Sequence, residues 1–289
     1  MRTANGQWAR IVVSGRADQF RQFYAEFVTA GLGAAQSALR SAFAVVPREH
    51  FLGPGPWKIY AGPGYVETPS SHVAFVYQDV VIALSPAKGL NNGQPSLHAR
   101  CLGALGPCGG QDALHIGAGT GYYTALLAEL VGPTGRVQAL ELDRRLAEAA
   151  RNNLSGRPNV HVRSRSGVIG PLPMQDIIYV SAAATAPLRV WIDALRPRGR
   201  LIFPLTPGDG HGAMLRVTRT QDGLAAEFLC TAQFVPCIGA QNSLERQRLR
   251  RAFAAGGAHD VRQLYFDRRP DATAWMAGKG WWLSNRPLA

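Results

Sequence analysis

The stretch "HIGAGTGYYTALLAELVGPTGRVQALELD", residues 115–143, decides the fold because it places a glycine-rich turn between an apolar strand and a helix. Gly117, Gly119 and Gly121 fall where the chain turns sharply, and their missing side chains allow a ligand to approach the backbone. Glu141 ends the next predicted strand, where a carboxylate can accept both hydrogen bonds of a ribose diol. The stretch therefore predicts a site for a nucleotide-like cofactor.

Two cofactors fit this geometry, a nicotinamide dinucleotide and S-adenosylmethionine. A dinucleotide calls for a GxGxxG turn whose following helix points its N-terminus at the pyrophosphate. This loop reads GxGxG instead, with Thr120 between two glycines and Tyr122 where the third glycine would stand. The loop therefore favours S-adenosylmethionine.

The sequence around the turn alternates strand-like and helical segments, which predicts parallel βαβ units covered on both faces. Two further strand-like runs follow without long helices between them and predict an antiparallel edge. The fold class is therefore α/β, with a doubly wound, mostly parallel sheet. The strand-like segments lie at 112–116, 135–143, 159–164, 176–183, 199–205, 213–220 and 224–236, and the helical ones at 96–105, 144–154 and 187–195.

The regions outside this core have different compositions. Residues 17–43 place apolar residues at helical intervals, which predicts one or two amphipathic helices. Residues 53–76 are rich in Gly, Pro and Ser, so little regular structure is expected there and the segment is a candidate lid. Tryptophans in the tail, 252–289, predict docking by aromatic burial or, alternatively, a wall of a peptide groove. We expect an N-terminal part at 1–95, a cofactor-binding core at 96–240 and an extension at 241–289.

The composition is that of a globular protein, with 289 residues, 46% of them hydrophobic and 17% charged. No run of about 18 apolar residues occurs and the N-terminus lacks a signal-peptide centre, so no membrane span and a cytoplasmic location are expected. The four cysteines have no metal-ligand spacing, which predicts no metal site. The net charge of +12 allows a nucleic-acid partner, but the arginine cluster at 245–251 contains no stacking aromatics, so compositional bias is favoured.

Several ordered segments between about residues 40 and 240 resemble the protein-L-isoaspartate O-methyltransferase family. The resemblance is carried by "VPREHF" at 46–51, "GQPSLHA" at 93–99, "HIGAGTGYYTALLA" at 115–128, "DIIYVSAAATAP" at 176–187 and "LRPRGRLIFPL" at 195–205. It implies a seven-stranded, Rossmann-like class I methyltransferase fold that uses S-adenosylmethionine to esterify a carboxylate of a peptide or protein.

The resemblance also implies roles for individual residues. The methionine part of the cofactor is expected along the glycine turn, and Glu141 with its neighbour Leu142 is expected at the ribose. Ser166 stands where the family carries a carboxylate near adenine, while the adjacent Gly167 matches the family. The residues expected to bind the cofactor are His115, Gly117, Ala118, Gly119, Gly121, Glu141, Leu142, Ser166 and Gly167.

The substrate loop departs most from the family. Residues 91–95 fall where the family has a Thr-Ile-Ser-Gln-Pro-like sequence, and only Gln94 and Pro95 match it. Gly93 takes the place of the active-site serine, and His115 takes the place of an acidic residue that helps position the methionine moiety. The fold is therefore expected to hold while the substrate differs.

A loop without an acid, base or nucleophile can still support this reaction. A carboxylate has a pKa of about 4 and arrives ionised, and alignment of two reactants contributes roughly 7–11 kcal/mol in favourable cases. The side-chain amides of the loop and the backbone N–H of Gly93 can hold the acceptor oxygen, or they can form a turn that caps the helix beginning near Pro95. The candidate catalytic residues are Asn91, Asn92, Gly93, Gln94 and His98.

The sequence therefore predicts an S-adenosylmethionine-dependent O-methyltransferase of the isoaspartate type. The diverged loop favours a specialised, biosynthetic peptide substrate over general protein repair. A cofactor-binding scaffold that has lost catalysis is the alternative, and an RNA or small-molecule methyltransferase is a weaker one. The oligomeric state is left open.

Overall fold

The computed structural model describes residues 4–33, 36–208 and 212–287, with side chains from residue 17 onward. The helices are α1 (Ala4–Thr29), α2 (Ser37–Val45), α3 (Pro95–Leu105), α4 (Tyr122–Val131), α5 (Arg144–Asn153), α6 (Arg189–Asp193) and α7 (Ser243–Ala255). The strands are β1 (Lys58–Tyr60), β2 (Tyr65–Glu67), β3 (Ala83–Ser85), β4 (Leu90–Asn91), β5 (Asp112–Ile116), β6 (Arg136–Glu141), β7 (Val160–Ser164), β8 (Gln175–Val180), β9 (Leu195–Leu205), β10 (Gly212–Arg219), β11 (Leu224–Ala232), β12 (Gln263–Phe266), β13 (Ala274–Ala277) and β14 (Trp281–Ser284).

A central sheet of ten strands organises the molecule, in the order β13-β14-β12-β11-β10-β9-β8-β5-β6-β7. The strands from β5 to β9 run parallel, and β10 and β11 are antiparallel to their neighbours. The predicted doubly wound sheet with an antiparallel edge is confirmed, and its seven expected strands are β5 to β11. The chain order reverses between β5 and β8, so their carboxyl ends form the crevice in which open α/β sheets bind ligands.

The two faces of the sheet are covered by different helices. One hydrophobic cluster joins the sheet to α1–α5 and includes Tyr24 and Phe43, and the other joins it to α6 and α7 around the fully buried Trp191. The central strands β5 and β8 are buried almost throughout, as their continuous apolar runs predict. This burial provides a rigid edge at which the loops after β5 and β8 can be positioned.

The C-terminal tail extends the sheet, which was not predicted. β12, β14 and β13 continue the edge beyond β11 as antiparallel strands. Trp281 and Trp282 are buried, in agreement with docking by aromatic burial. Trp275 packs edge-to-face against Phe228 and Phe253, so its ring contributes to that docking as well.

The segment 53–76 contains more regular structure than expected. β1 and β2 form an antiparallel hairpin in which Tyr60 pairs with Tyr65, and Ile59 bridges to Ile82. Positive φ at Gly62 allows the tight connection between these strands. The expectation of little regular structure missed this hairpin, while the rest of the segment is irregular apart from a short 3-10 turn at Val73–Phe75.

Two other features concern the periphery of the fold. α1 begins at Ala4, well before the predicted helical segment at 17–43, and α7 carries the arginine cluster. In the ranges that the structure describes, no helix combines the length and apolar character needed to cross a bilayer.

Candidate active site

A cavity of about 630 Å³ lies at the carboxyl ends of the parallel strands. Its walls come from the β1–β2 hairpin, the segment 89–94, the start of α3, the turn after β5 and the segment 231–236, which comprises the end of β11 and the residues after it. Among the described lining residues none is an aspartate, glutamate, lysine or arginine. The cavity therefore offers hydrogen bonds and apolar surface rather than formal charge.

The turn after β5, which we call the glycine loop (117–121), follows the predicted geometry. Gly117, Gly119 and Gly121 all have positive φ, a conformation that side chains disfavour. Gly117, Ala118 and Gly119 line the cavity. Gly121 faces inward instead, because a Cβ there would lie 2.7 Å from Leu154 Cδ1, so its absent side chain serves packing between α4 and α5.

Glu141 fixes the glycine loop from the neighbouring strand. Its Oε2 accepts a hydrogen bond of 2.8 Å from the Gly119 N–H, and its Oε1 accepts one of 2.9 Å from the Asp143 N–H. Burial raises the pKa of Glu141, and these backbone donors oppose that shift. Leu142 beside it is 44% exposed. Neither residue is among those that line the cavity, so their contact with ribose stays a prediction.

The predicted adenine side lies at the segment after β7. The Ser166 hydroxyl accepts from the Val168 N–H at 3.3 Å. A Cβ on Gly167 would lie 2.4 Å from Ile116 Cγ2, and its carbonyl accepts a bond of 2.8 Å from Trp191 Nε1. Ser166 and Gly167 do not line the cavity, so their contact with adenine also stays a prediction.

His115 lies behind the cavity wall. Its ring is fully buried, with Nδ1 2.8 Å from the Thr124 hydroxyl and Nε2 3.0 Å from the Ser181 hydroxyl. Burial lowers the pKa of His115 to about 3, so the ring is neutral. Ser181 lines the cavity while His115 does not, so the expected contact between His115 and the cofactor stays a prediction, and Ser181 is the residue that links His115 to the wall. Sequence reasoning missed Ser181, although it follows β8 at the crevice.

The residues of the substrate loop, which we call the amide loop (91–94), all line the cavity. Several of their polar atoms already have partners. Asn91 Oδ1 accepts from the Gly93 N–H at 2.9 Å. Contrary to expectation, that N–H is therefore not free for a substrate. Asn92 Oδ1 accepts from the Ile82 N–H at 2.8 Å, and Gln94 Nε2 donates to Asp79 Oδ2 at 2.8 Å.

Asp79 joins the amide loop to the start of α3. Its Oδ1 accepts from the Ser96 N–H at 2.8 Å, and its Oδ2 accepts from the Ser96 hydroxyl at 2.6 Å. The same carboxylate holds Gln94. Asn91 thus forms the predicted turn with Gly93, but the first turn of α3 is capped by Asp79 and not by a loop amide. Only part of the loop is left for a ligand.

Three buried polar atoms on the cavity wall have no hydrogen-bond partner among the described residues: Asn92 Nδ2, His98 Nε2 and Tyr123 Oη. Buried polar groups are nearly always paired, so unpaired ones at a cavity indicate a place for a ligand. Asn92 and His98 were predicted as site residues. Tyr123 was missed because its position in the first turn of α4 resembles that of any core aromatic residue.

His98 is held firmly on this wall. Its ring stacks on Tyr123 with centroids 3.6 Å apart, and its Nδ1 lies 2.7 Å from the Tyr179 hydroxyl. Burial, followed by the influence of His115 and Arg48, holds the pKa of His98 well below its usual value. The buried Arg48 donates to the carbonyls of Val76, Gln78 and Val80, which indicates a structural position for this cation.

The chain was compared with known proteins. A sequence profile of the protein-L-isoaspartate(D-aspartate) O-methyltransferase family matches residues 31–242. A protein-L-isoaspartate O-methyltransferase of Aeropyrum pernix is 34% identical over 193 residues, or 64% of this chain and 73% of the relative. A solved protein-L-isoaspartate O-methyltransferase superposes with a TM-score of 0.64 at 22% identity, covering 86% of this chain and 74% of that one.

A second solved structure shows the same fold. It comes from Plasmodium falciparum, is described as a beta-aspartate methyltransferase in complex with S-adenosyl-L-homocysteine, and superposes with a TM-score of 0.60 at 19% identity over 75% of this chain and 97% of that one. The sheet order and the crevice thus define a class I, S-adenosylmethionine-dependent methyltransferase. The chain belongs to the protein-L-isoaspartate(D-aspartate) O-methyltransferase family.

Proposed function

We propose that the protein is an O-methyltransferase that uses S-adenosylmethionine to esterify a carboxylate on a peptide or protein. One observation carries the proposal: three buried, unpartnered hydrogen-bonding groups converge on a cavity that the glycine loop also lines. The family to which the chain belongs supports the reaction type. The amide loop, with glycine in place of the family's serine, supports a specialised peptide as the substrate.

The cavity residues fit this cofactor and this acceptor. A ligand can approach the backbone closely at Gly117 and Gly119, because neither carries a side chain and both line the wall. When bound, S-adenosylmethionine supplies a methyl group on a positively charged sulfur that keeps the bonding electron pair after transfer. Because the described wall is uncharged, the acceptor carboxylate is the negative charge that complements the positively charged sulfur. The low local dielectric strengthens the attraction between the carboxylate and the sulfur.

The residues of the chain have to position the acceptor rather than activate it. A carboxylate is ionised at neutral pH because its pKa is about 4, so no general base is required. Asn92 Nδ2 can donate a hydrogen bond to one carboxylate oxygen, and the neighbouring unpartnered groups can hold the other. Hydrogen bonds to a charged group are worth about 1.5–3 kcal/mol each, and alignment contributes the larger share of the rate.

The test uses isoaspartyl peptides and a set of peptides with free carboxyl termini, with mass spectrometry to detect added methyl groups. We expect cofactor-dependent methylation and release of S-adenosylhomocysteine. Calorimetry with S-adenosylmethionine separates the alternatives, because a scaffold binds the cofactor without turnover. If generic isoaspartyl peptides are methylated as efficiently as every other peptide, the proposal of a specialised substrate is contradicted. If the protein does not bind the cofactor, the proposal that it is an enzyme is contradicted.

Asn92 provides a residue-level test of the same proposal. Asn92→Asp keeps an oxygen for the Ile82 N–H but removes the free donor and adds a negative charge, so we expect KM for the peptide to rise about 10- to 100-fold. Asn91→Asp is the matched control, because it adds the same charge one residue away and keeps its bond from the Gly93 N–H. Equal effects of the two substitutions on KM would show that Asn92 does not bind the acceptor.

A further inference from the structure

We infer that His98 donates a hydrogen bond to the acceptor carboxylate from the space that a side chain at residue 93 would occupy, so that Gly93 and His98 form an exchanged pair in which only one of the two positions can supply the donor. The inference rests on the proposed function and specifies how the site holds its substrate. It joins two observations about one wall of the cavity: a Cβ on Gly93 would meet the imidazole of His98, and His98 Nε2 is buried without a partner among the described residues.

The two side chains compete for one volume. A Cβ on Gly93 would lie 2.2 Å from His98 Nε2 and 2.9 Å from its Cδ2, distances that no real Cβ contact shows. Any side chain at position 93, including serine, is therefore incompatible with the present position of the imidazole. The room that glycine leaves is occupied by His98 rather than open to a bulkier acceptor.

The imidazole cannot move aside at low cost. Besides stacking on Tyr123 at 3.6 Å, the ring makes edge contacts with Tyr179 and Phe234 at centroid distances of 5.8 and 5.7 Å. The bond between Nδ1 and the Tyr179 hydroxyl fixes the remaining rotation of the ring. Nε2 is thereby held where the side chain of residue 93 would begin, on a residue that lines the same cavity.

The inferred tautomer requires a hydrogen-bond donor at Nδ1, which the Tyr179 hydroxyl can supply. Burial raises the pKa of Tyr179 well above its usual value, so its hydroxyl keeps its proton and can donate to His98 Nδ1. Burial keeps the imidazole neutral, and a neutral ring that accepts at Nδ1 carries its proton on Nε2. The buried Nε2 is then a donor only.

A donor-only group narrows the range of acceptors compared with serine. A hydroxyl both donates and accepts, whereas Nε2–H pairs only with a ligand atom that accepts. An ionised carboxylate satisfies Nε2–H, Asn92 Nδ2 and the Tyr123 hydroxyl together, while a protonated amine satisfies none of the N–H donors. His98 therefore acts as a specificity-determining residue for oxyanion acceptors.

The test is a cycle of Gly93→Ser, His98→Ala and the double variant, assayed for KM, kcat and cofactor affinity with the best peptide of the wild-type screen. We expect each single substitution to lower kcat/KM about 10- to 100-fold, which corresponds to the loss of one hydrogen bond to a charged group. In the double variant the serine has room and a hydroxyl returns, so kcat/KM should exceed that of either single variant. Affinity for S-adenosylmethionine should stay within about threefold in all of them.

A matched control separates the hydroxyl from the relief of crowding. Gly93→Ala combined with His98→Ala has the same Cβ and the same strain at φ +69° but no hydroxyl. We expect it to remain about tenfold below the serine double variant. Equal activity of the two double variants, or simple additivity of the single effects, would overturn the exchange.

Nitrogen NMR of isotope-labelled histidine provides a readout that does not depend on turnover. In the wild-type protein loaded with S-adenosylhomocysteine, we expect His98 to carry its proton on Nε2 and the Nε2 resonance to shift when a peptide carboxylate binds. A proton on Nδ1, or a resonance that peptide binding leaves unchanged, contradicts the inference. A protein that binds carboxylate peptide through His98 without methylating it would instead contradict the proposed function alone.

Discussion

The glycine loop and the amide loop line the same cavity, yet of the two only the amide loop contains a buried side-chain polar atom without a partner among the described residues. In the glycine loop the N–H groups of Gly117 and Gly119 donate to Leu140 O and to Glu141, both at 2.8 Å. His115 behind it has both ring nitrogens paired. At the amide loop, Asn92 Nδ2 and the adjacent His98 Nε2 are buried without partners in the part of the chain that the structure describes.

This difference indicates which side of the cavity is preformed and which is completed by a ligand. Paired buried groups hold a fixed shape, because breaking any one of them costs the full desolvation of its partner. Unpaired buried groups are costly in the free protein and are retained where a bound molecule pairs them. We therefore expect substitutions behind the glycine loop to alter cofactor affinity and folding, and substitutions at the amide loop to alter acceptor binding.

The largest effect is expected at Glu141, which supports the glycine loop. Glu141→Ala leaves the Gly119 and Asp143 N–H groups without their carboxylate partner, at a cost of about 1.5–3 kcal/mol for each bond. We expect the Kd for S-adenosylmethionine, measured by calorimetry, to rise about 100-fold or more. Glu141→Gln keeps one acceptor oxygen, so its Kd for S-adenosylmethionine should rise by only about tenfold. An unchanged Kd in the alanine variant would break the assignment of this side to the cofactor.

The second-largest effect is a dependence of the free energy of unfolding on pH, because His115 is neutral in the folded protein. Its pKa of about 3 lies below the unfolded value of about 6.5, so the unfolded chain binds more protons as the pH falls. Stability is therefore fully present above about pH 6.5 and decreases from there towards pH 3, by up to about 1.4 kcal/mol per pH unit for this histidine.

Urea unfolding of the wild type and His115→Gln at several pH values measures this contribution. Glutamine can still bond to a neighbouring hydroxyl but takes up no proton, so we expect a shallower decrease in stability below pH 6.5. Between pH 7.5 and 8.5 residue 115 does not titrate, so the free energy of unfolding should depend on pH in the same way in both proteins. Identical slopes below pH 6.5 would show that His115 is not neutral in the fold.

The sequence predicted the glycine loop and the seven-stranded sheet because both depend on local patterns. Strand, turn and helix between 112 and 143 follow from glycine spacing and apolar periodicity within a few residues. The three-strand extension was missed because its attachment to β11 is non-local, with Ala225 paired to Gln263. No local pattern distinguishes an edge strand that extends a sheet from a tail that only covers it.

In the candidate site, too, features that depend on neighbouring residues in the sequence could be predicted, and features that depend on tertiary contacts could not. The amide loop lines the cavity, but which of its atoms are free depends on Ile82 and Asp79, and neither belongs to the loop. The expected free N–H of Gly93 is bonded to Asn91, and the room beside Gly93 is filled by a side chain five positions later. Such pairings follow from tertiary packing, so composition alone could not assign them.

The smallest effect is expected at the β1–β2 hairpin, which tests whether the acceptor side of the cavity extends to the residues flanking the carboxylate. Tyr60 and Tyr65 line the cavity and pack edge-to-face with centroids 5.6 Å apart. Tyr60 is 51% exposed, so a flanking peptide residue can bury more of the ring. An aromatic contact of this kind contributes about 0.5–1.5 kcal/mol.

We therefore expect Tyr60→Ala to raise KM for a peptide of several residues about three- to tenfold, with a smaller change for a minimal acceptor. Val66→Ala is the matched control, because Val66 lies on the same hairpin, is 61% exposed and does not line the cavity. If both substitutions change KM equally, the hairpin acts only through its own folding. If Tyr60→Ala alone matters, and only for the longer peptide, the acceptor side includes a surface for the peptide chain as well as the hydrogen-bond donors for its carboxylate.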